Sequence, residues 1–112
     1  MSKIEITKEE YEKVKHLIEK ENRKYESLED MKGGIVFIRT VTFYYTGRIK
    51  NIVGQFIHLE DACWIPDTGR FANFMQGTPT DTLETEPMGE TFVNIDSVID
   101  ISPYKQLFLE QK

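Results

Sequence analysis

The sequence predicts an α+β domain: one N-terminal helix, then a small, strongly bent antiparallel β-sheet or partly open barrel carrying a short inserted helix. Three observations lead there. Residues 1–34 hold 8 Lys/Arg and 9 Asp/Glu but no Trp, Phe or Pro. All 7 Phe, the single Trp and all 4 Pro fall in residues 35–112. The spacing of apolar residues also changes from three or four to two at Ile35, which separates a helical from an extended period. The 112 residues make one domain's length, with 1–34 as helix and linker and 35–112 as a β-rich body.

Thr7 and Glu10 have the spacing of a capping box, and Ile6 with Tyr11 that of a hydrophobic staple. Apolar residues recur at Tyr11, Val14, Leu17, Ile18, Tyr25 and Leu28, interrupted by Glu21, and stop before Gly33-Gly34, where a left-handed turn can end a helix. About 22 residues at 1.5 Å each reach roughly 33 Å, more than the body's own core needs. The helix therefore either lies wholly along its own sheet or packs partly on another subunit.

From Ile35, the residues Ile35, Phe37, Arg39, Val41, Phe43 and Tyr45 alternate with Val36, Ile38, Thr40, Thr42 and Tyr44. β-branched and aromatic side chains dominate, as a pleated surface favours. Gly47 is expected to bend or bulge the chain, with 48–53 as the next strand, Gly54-Gln55 as a turn and 56–59 as the return. Asp61 reads as a turn or bulge residue, 62–65 extend the strand, and Pro66 ends it. Asp67-Thr68-Gly69 is expected to cap a short helix over 70–76. Residues 77–90, with two prolines and many threonines, read as a polar loop pinned by Leu83 and Met88. A last hairpin is expected from 91–95 and 98–101, broken by Pro103 and followed by a tail bearing Leu107, Phe108 and Leu109.

The net charge of −5 argues against a sequence-blind binder of duplex nucleic acid, whose affinity comes from Lys and Arg on phosphates. No apolar run approaches a membrane span, no secretory leader is evident, and one Cys cannot build a disulfide framework, so a cytoplasmic protein is expected. His16, His58 and Cys63 are too scattered for a metal site. His58 and Cys63, five apart, would face opposite sides of one extended strand, so they do not form a base–nucleophile pair. Cys63 reads instead as a small buried apolar group. Phosphate-loop, dinucleotide-binding, zinc-protease and nucleophile-elbow motifs are absent. No enzyme, metal or cofactor is expected.

The body's only arginines are Arg39, Arg48 and Arg70, each near aromatics and hydroxyls. An Arg in a strand is costly to bury without a partner, and its planar fork matches phosphate or carboxylate. One reading makes these residues a site for a small, charged, aromatic ligand such as a nucleotide. The guanidinium groups would meet phosphates and Trp64, Tyr45 or Phe71 would stack on a base. Thr40, Thr42, Asp67 and Thr68 would read polar edges. The other reading makes them scaffold, with Arg39 paired to Asp61 or Asp67 and Trp64 and Phe71 in the core.

The stretch Tyr45-Thr-Gly47-Arg-Ile49 followed by Phe56-Ile-His-Leu59-Glu-Asp61-Ala62 is similar to the first half of the Sm-like motif. That resemblance implies a small bent barrel that forms rings. The Met-Asn with which Sm proteins meet bases has no equivalent at Gly54-Gln55, and the Arg-Gly or Lys-Gly of the second half is absent around Val98-Ile99-Asp100. A longer string runs from Arg39 through Thr40, Thr42, Tyr45 and Gly47 to Arg48, then from Leu59 through Trp64 and Asp67-Thr68-Gly69-Arg70 to Phe71. It resembles a widespread family of small phage and prophage proteins that includes anti-CBASS sponges. This implies a homo-oligomer, acting in the host cytoplasm, that sequesters a cyclic dinucleotide-like signal without cutting it. A site between subunits would let two copies of the same residues grip a two-fold ligand. The alternatives are a structural virion or assembly protein with no small-molecule ligand, and an Sm-like RNA binder.

Overall fold

Residues 25–112 are described by the computed structural model, and nearly all their regular structure is antiparallel β-sheet. The strands are β1 (Ile35–Thr40), β2 (Tyr44–Val53), β3 (Phe56–Asp67), β4 (Glu84–Asn94) and β5 (Val98–Pro103), in the order β4-β3-β2-β1-β5. One short helix, α1 (Phe71–Met75), lies between β3 and β4, and 3-10 turns occupy Leu28–Met31 and Ile95–Ser97. The α+β class is thereby overturned in favour of a five-stranded antiparallel fold. The expected helix from Thr7 to residue 24 lies outside the described residues, and its last part is not α-helical. There the Asp30 carboxylate accepts from the backbone N–H of Glu26 (2.7 Å) and Ser27 (3.1 Å), folding the chain into a single tight turn.

The β1–β2 turn corrects the expected run through Tyr45. It falls at Val41-Thr42-Phe43, with no Gly, Pro, Asn or Asp to announce it. The Thr40 side chain supplies what those residues normally would: its hydroxyl donates to the Phe43 carbonyl (2.8 Å) and accepts from the Phe43 N–H (2.9 Å). Gly47 sits inside β2 rather than ending a strand. A Cβ there would lie 3.3 Å from the Ala62 Cα and the Leu59 Cβ, so the missing side chain lets β3 cross close by at the sheet's bend. The ladder slips at that point, between Thr46 and Arg48.

Asp61 is a bulge residue in the left-handed region, φ 51°, and the β3–β4 register shifts there. The extra residue changes which face each later side chain meets. Ile57, Leu59 and then Ala62 enter one core, while Cys63 and Ile65 enter the other. β3 continues through Pro66 to Asp67, and β4 already begins at Glu84 inside the expected loop. Its threonines, glutamates and proline suit an edge strand, where one side of the backbone needs no partner.

Two cores result. Val36, Ile38, Ile49, Ile57, Leu59, Ala62 and Val93 fill the inside of the bend. On the other face, Phe37, Cys63, Ile65, Phe74, Leu83, Tyr104 and Phe108 pack together, so α1 and the tail cover the sheet. The Tyr104 hydroxyl donates to the Phe74 carbonyl at 2.6 Å. Burial pushes the Tyr104 phenol up from 10.0 to about 12 and the Cys63 thiol from 9.0 to about 11. Both groups fold in their neutral form. Their contribution is complete below the unfolded values and is lost as pH rises through the folded ones. From neutral pH upward, melting temperature should therefore hold level to about pH 9 and fall between about pH 9 and 12. A level profile through that window would show that neither group is sheltered in solution.

Candidate binding site

β2 and β3 run on past the first core, and there one face of the sheet is bare. Tyr45 and Trp64 are cross-strand partners, so their rings share the face of the first core, against which Tyr45 packs. Phe43 meets the Trp64 ring edge-on at 5.6 Å and the Tyr45 ring at 6.3 Å. Met88, from β4, closes the remaining side of a hollow of about 330 Å³. Phe43 and Met88 are 44% and 47% exposed, so nothing among the described residues covers it. Around Trp64 lies a second hollow of about 280 Å³, lined by Val41, Thr42, Tyr44, Ile65 and Pro66. Like any phenol near pH 7 the Tyr45 hydroxyl is a neutral donor, and desolvation raises its pKa further. The first hollow carries no charged side chain and suits a flat apolar body with one polar edge.

The arginines lie elsewhere. Arg39 forms a bidentate pair with Asp100 of β5: Nε donates to Oδ1 at 2.8 Å and to Oδ2 at 3.0 Å, and Nη2 also donates to Oδ2. This hydrogen bonding lowers the Asp100 pKa and raises that of Arg39. The guanidinium also lies 5.3 Å from the Phe71 ring centroid. Its partner is thus Asp100, neither Asp61 nor Asp67. Arg48 donates to the Gly33 carbonyl at 2.8 Å and ties the entry turn to β2. Arg70 is exposed, and its side chain makes no ion pair or hydrogen bond among the described residues.

Asp67-Thr68-Gly69-Arg70 forms a brace. Asp67 Oδ1 accepts from the Gly69 N–H (2.7 Å), and the buried Thr68 hydroxyl donates to the Gly69 carbonyl (2.9 Å). The Arg70 N–H reaches the Thr80 hydroxyl at 3.4 Å. The expected cap by Asp67 and Thr68 is not made: Arg70 is the N-cap of α1, without a side-chain cap bond.

Of the residues singled out in the sequence, the fold brings Tyr45 and Trp64 together in the first hollow and places Thr42 in the second. It pairs Arg39 with Phe71, uses Thr40 in a turn, and leaves Arg48, Asp67, Thr68 and Arg70 apart from these. Phe43, Tyr44 and Met88 also line the hollows and are not among the site residues expected from the sequence. Phe43 shares the period-two face of Tyr45, a usable signal, whereas Met88 was hidden in a segment that reads as loop. Among the described residues, no group of three or more His, Cys, Asp or Glu could hold a metal ion.

No protein-family model and no curated protein matches the chain. Solved structures do. A heptameric archaeal Sm protein, described for its implications for the eukaryotic snRNP core, is 21% identical with a TM-score of 0.51, over 70% of this chain and 96% of that one. The Sm protein heptamer from P. aerophilum is also 21% identical at 0.51, over 70% of this chain and 89% of that one. The fold is therefore Sm-like, in keeping with the short motif in β2 and β3.

Proposed function

We propose that this protein is a non-enzymatic, ring-forming Sm-like module that binds a nucleobase on the rings around Trp64. Ring formation is supported by the two outermost strands, β4 and β5, which carry exposed Phe92 (52%) and Ile99 (64%). Pairing one copy's β4 with the next copy's β5 would be a head-to-tail contact, the kind that closes into rings. Both Sm-like neighbours are heptamers. The observation that carries the ligand class is the bare aromatic hollow of Phe43, Tyr45, Trp64 and Met88, since base–aromatic stacking contributes about 1–3 kcal/mol per base.

Two sources of that base remain. The fold favours single-stranded RNA, because one neighbour bears on a ribonucleoprotein core. The net charge of −5 favours a cyclic dinucleotide, which brings two phosphates rather than a strand of them. The shared chemistry is a stacked base.

Trp64 is the only tryptophan, so its fluorescence reports on the hollow directly. Titration with short oligo(A) and oligo(U) RNA, and separately with a panel of cyclic dinucleotides, should quench it in one arm. Phe43→Ala should weaken that binding by about 5- to 150-fold, the equivalent of one lost stack. If neither arm changes the emission, the nucleobase reading fails. The mass of the native oligomer tests the ring separately.

A further inference from the structure

The two open edges are not equally open. β4 has eleven residues and β5 six. At the start of β4 the outer edge is already taken: the Thr85 N–H donates to the Lys112 carbonyl and the Lys112 N–H donates to the Thr85 carbonyl, both at 3.0 Å. Such reciprocal bonding is the closely spaced pair of an antiparallel ladder. The Thr85 hydroxyl, 1% exposed, donates to the Glu110 carbonyl at 2.7 Å, and Gln111 Nε2 donates to Glu86 Oε1 at 3.1 Å. The segment is delivered there by Tyr104 and Phe108, both buried in the second core. Immediately after comes Pro87, which has no N–H to offer a neighbour.

We propose that residues 110–112 act as an edge cap that fixes the register of assembly. They close the first part of β4, Pro87 marks the boundary, and residues 88–94, seven of the eleven, remain for another copy. That length fits the six residues of β5 with little left over. Without the cap, a long edge would accept β5 in more than one register, and misregistered contacts do not close a ring. This inference rests on the proposed ring only for the identity of the neighbour.

The test compares native mass spectra of the full chain, a chain stopped after Leu109, and Lys112→Pro, which removes one bond of the pair while leaving the buried tail in place. The full chain should give one discrete mass. Both variants should give a ladder of sizes, and the Thr85 amide should exchange at least about tenfold faster while Val93 is unchanged. Identical mass distributions for all three chains would overturn the cap. A full chain that is monomeric while the variants self-associate would overturn the ring and leave the cap standing.

Discussion

Phe74→Ala is expected to remove about 3–5 kcal/mol of stability, the cost of emptying a large aromatic from a packed core. Phe74 is 0% exposed and stands at the centre of the second core. Its ring lies 4.8 Å from Phe37, 4.8 Å from Tyr104 and 6.0 Å from Phe108, so it joins a strand, α1 and the tail. A five-residue helix has no stability of its own, because nucleation costs more than so few hydrogen bonds return. α1 is therefore held by its packing, and Phe74 is its one fully buried residue, with Met75 half-buried beside it. A loss of that size corresponds to more than about 12 °C in melting temperature for a domain of this length. Phe71→Ala on the same helix, where the ring is 43% exposed, should cost about 1 kcal/mol or less. Urea midpoints of the two variants give the comparison. A Phe74→Ala loss below about 1 kcal/mol would mean that α1 and the tail open independently of the sheet.

What the sequence reveals follows from how local each determinant is. The alternation from Ile35 assigns Val36 and Ile38 to one face and Phe37 to the other, and both faces prove buried, in two cores. Asp61 is legible as a bulge because a short polar side chain is among the few that tolerate a left-handed backbone. The turn at 41–43 is not legible, since a hydroxyl on the preceding β-branched residue does the work usually done by Gly or Asn. β4 is hidden because an edge strand with one exposed side needs little apolar alternation. The partner of Arg39 lies 61 residues away on β5, and only the register of β1 against β5 places Asp100 opposite it. The ring cluster around Trp64 is half legible for the same reason: Phe43 and Tyr45 are near neighbours in sequence, whereas Met88 arrives through the β3–β4 ladder.

Gly69→Ala is expected to cost roughly 3 kcal/mol, from two independent causes. Gly69 has φ +67°, a conformation in which any Cβ is strained. The added Cβ would also stand 2.3 Å from the Thr80 hydroxyl oxygen and 2.7 Å from that of Thr82. Those oxygens sit on short side chains bonded to each other at 3.0 Å, and the Leu83 amide N lies 3.3 Å away, so the clash passes into the backbone leading to the buried Leu83. Arg70→Ala provides the contrast. Its exposed side chain has no partner among the described residues, so its removal should change stability by no more than about 0.5 kcal/mol. Together the pair divides the motif, with Asp67, Thr68 and Gly69 bracing the fold and Arg70 held out beside it as the one body arginine not engaged by the described chain. If thermal melts instead show Gly69→Ala within 1 °C of the parent, the brace does not hold the 80–82 segment in solution. In that case Asp67 and Thr68 return as candidates for ligand contact.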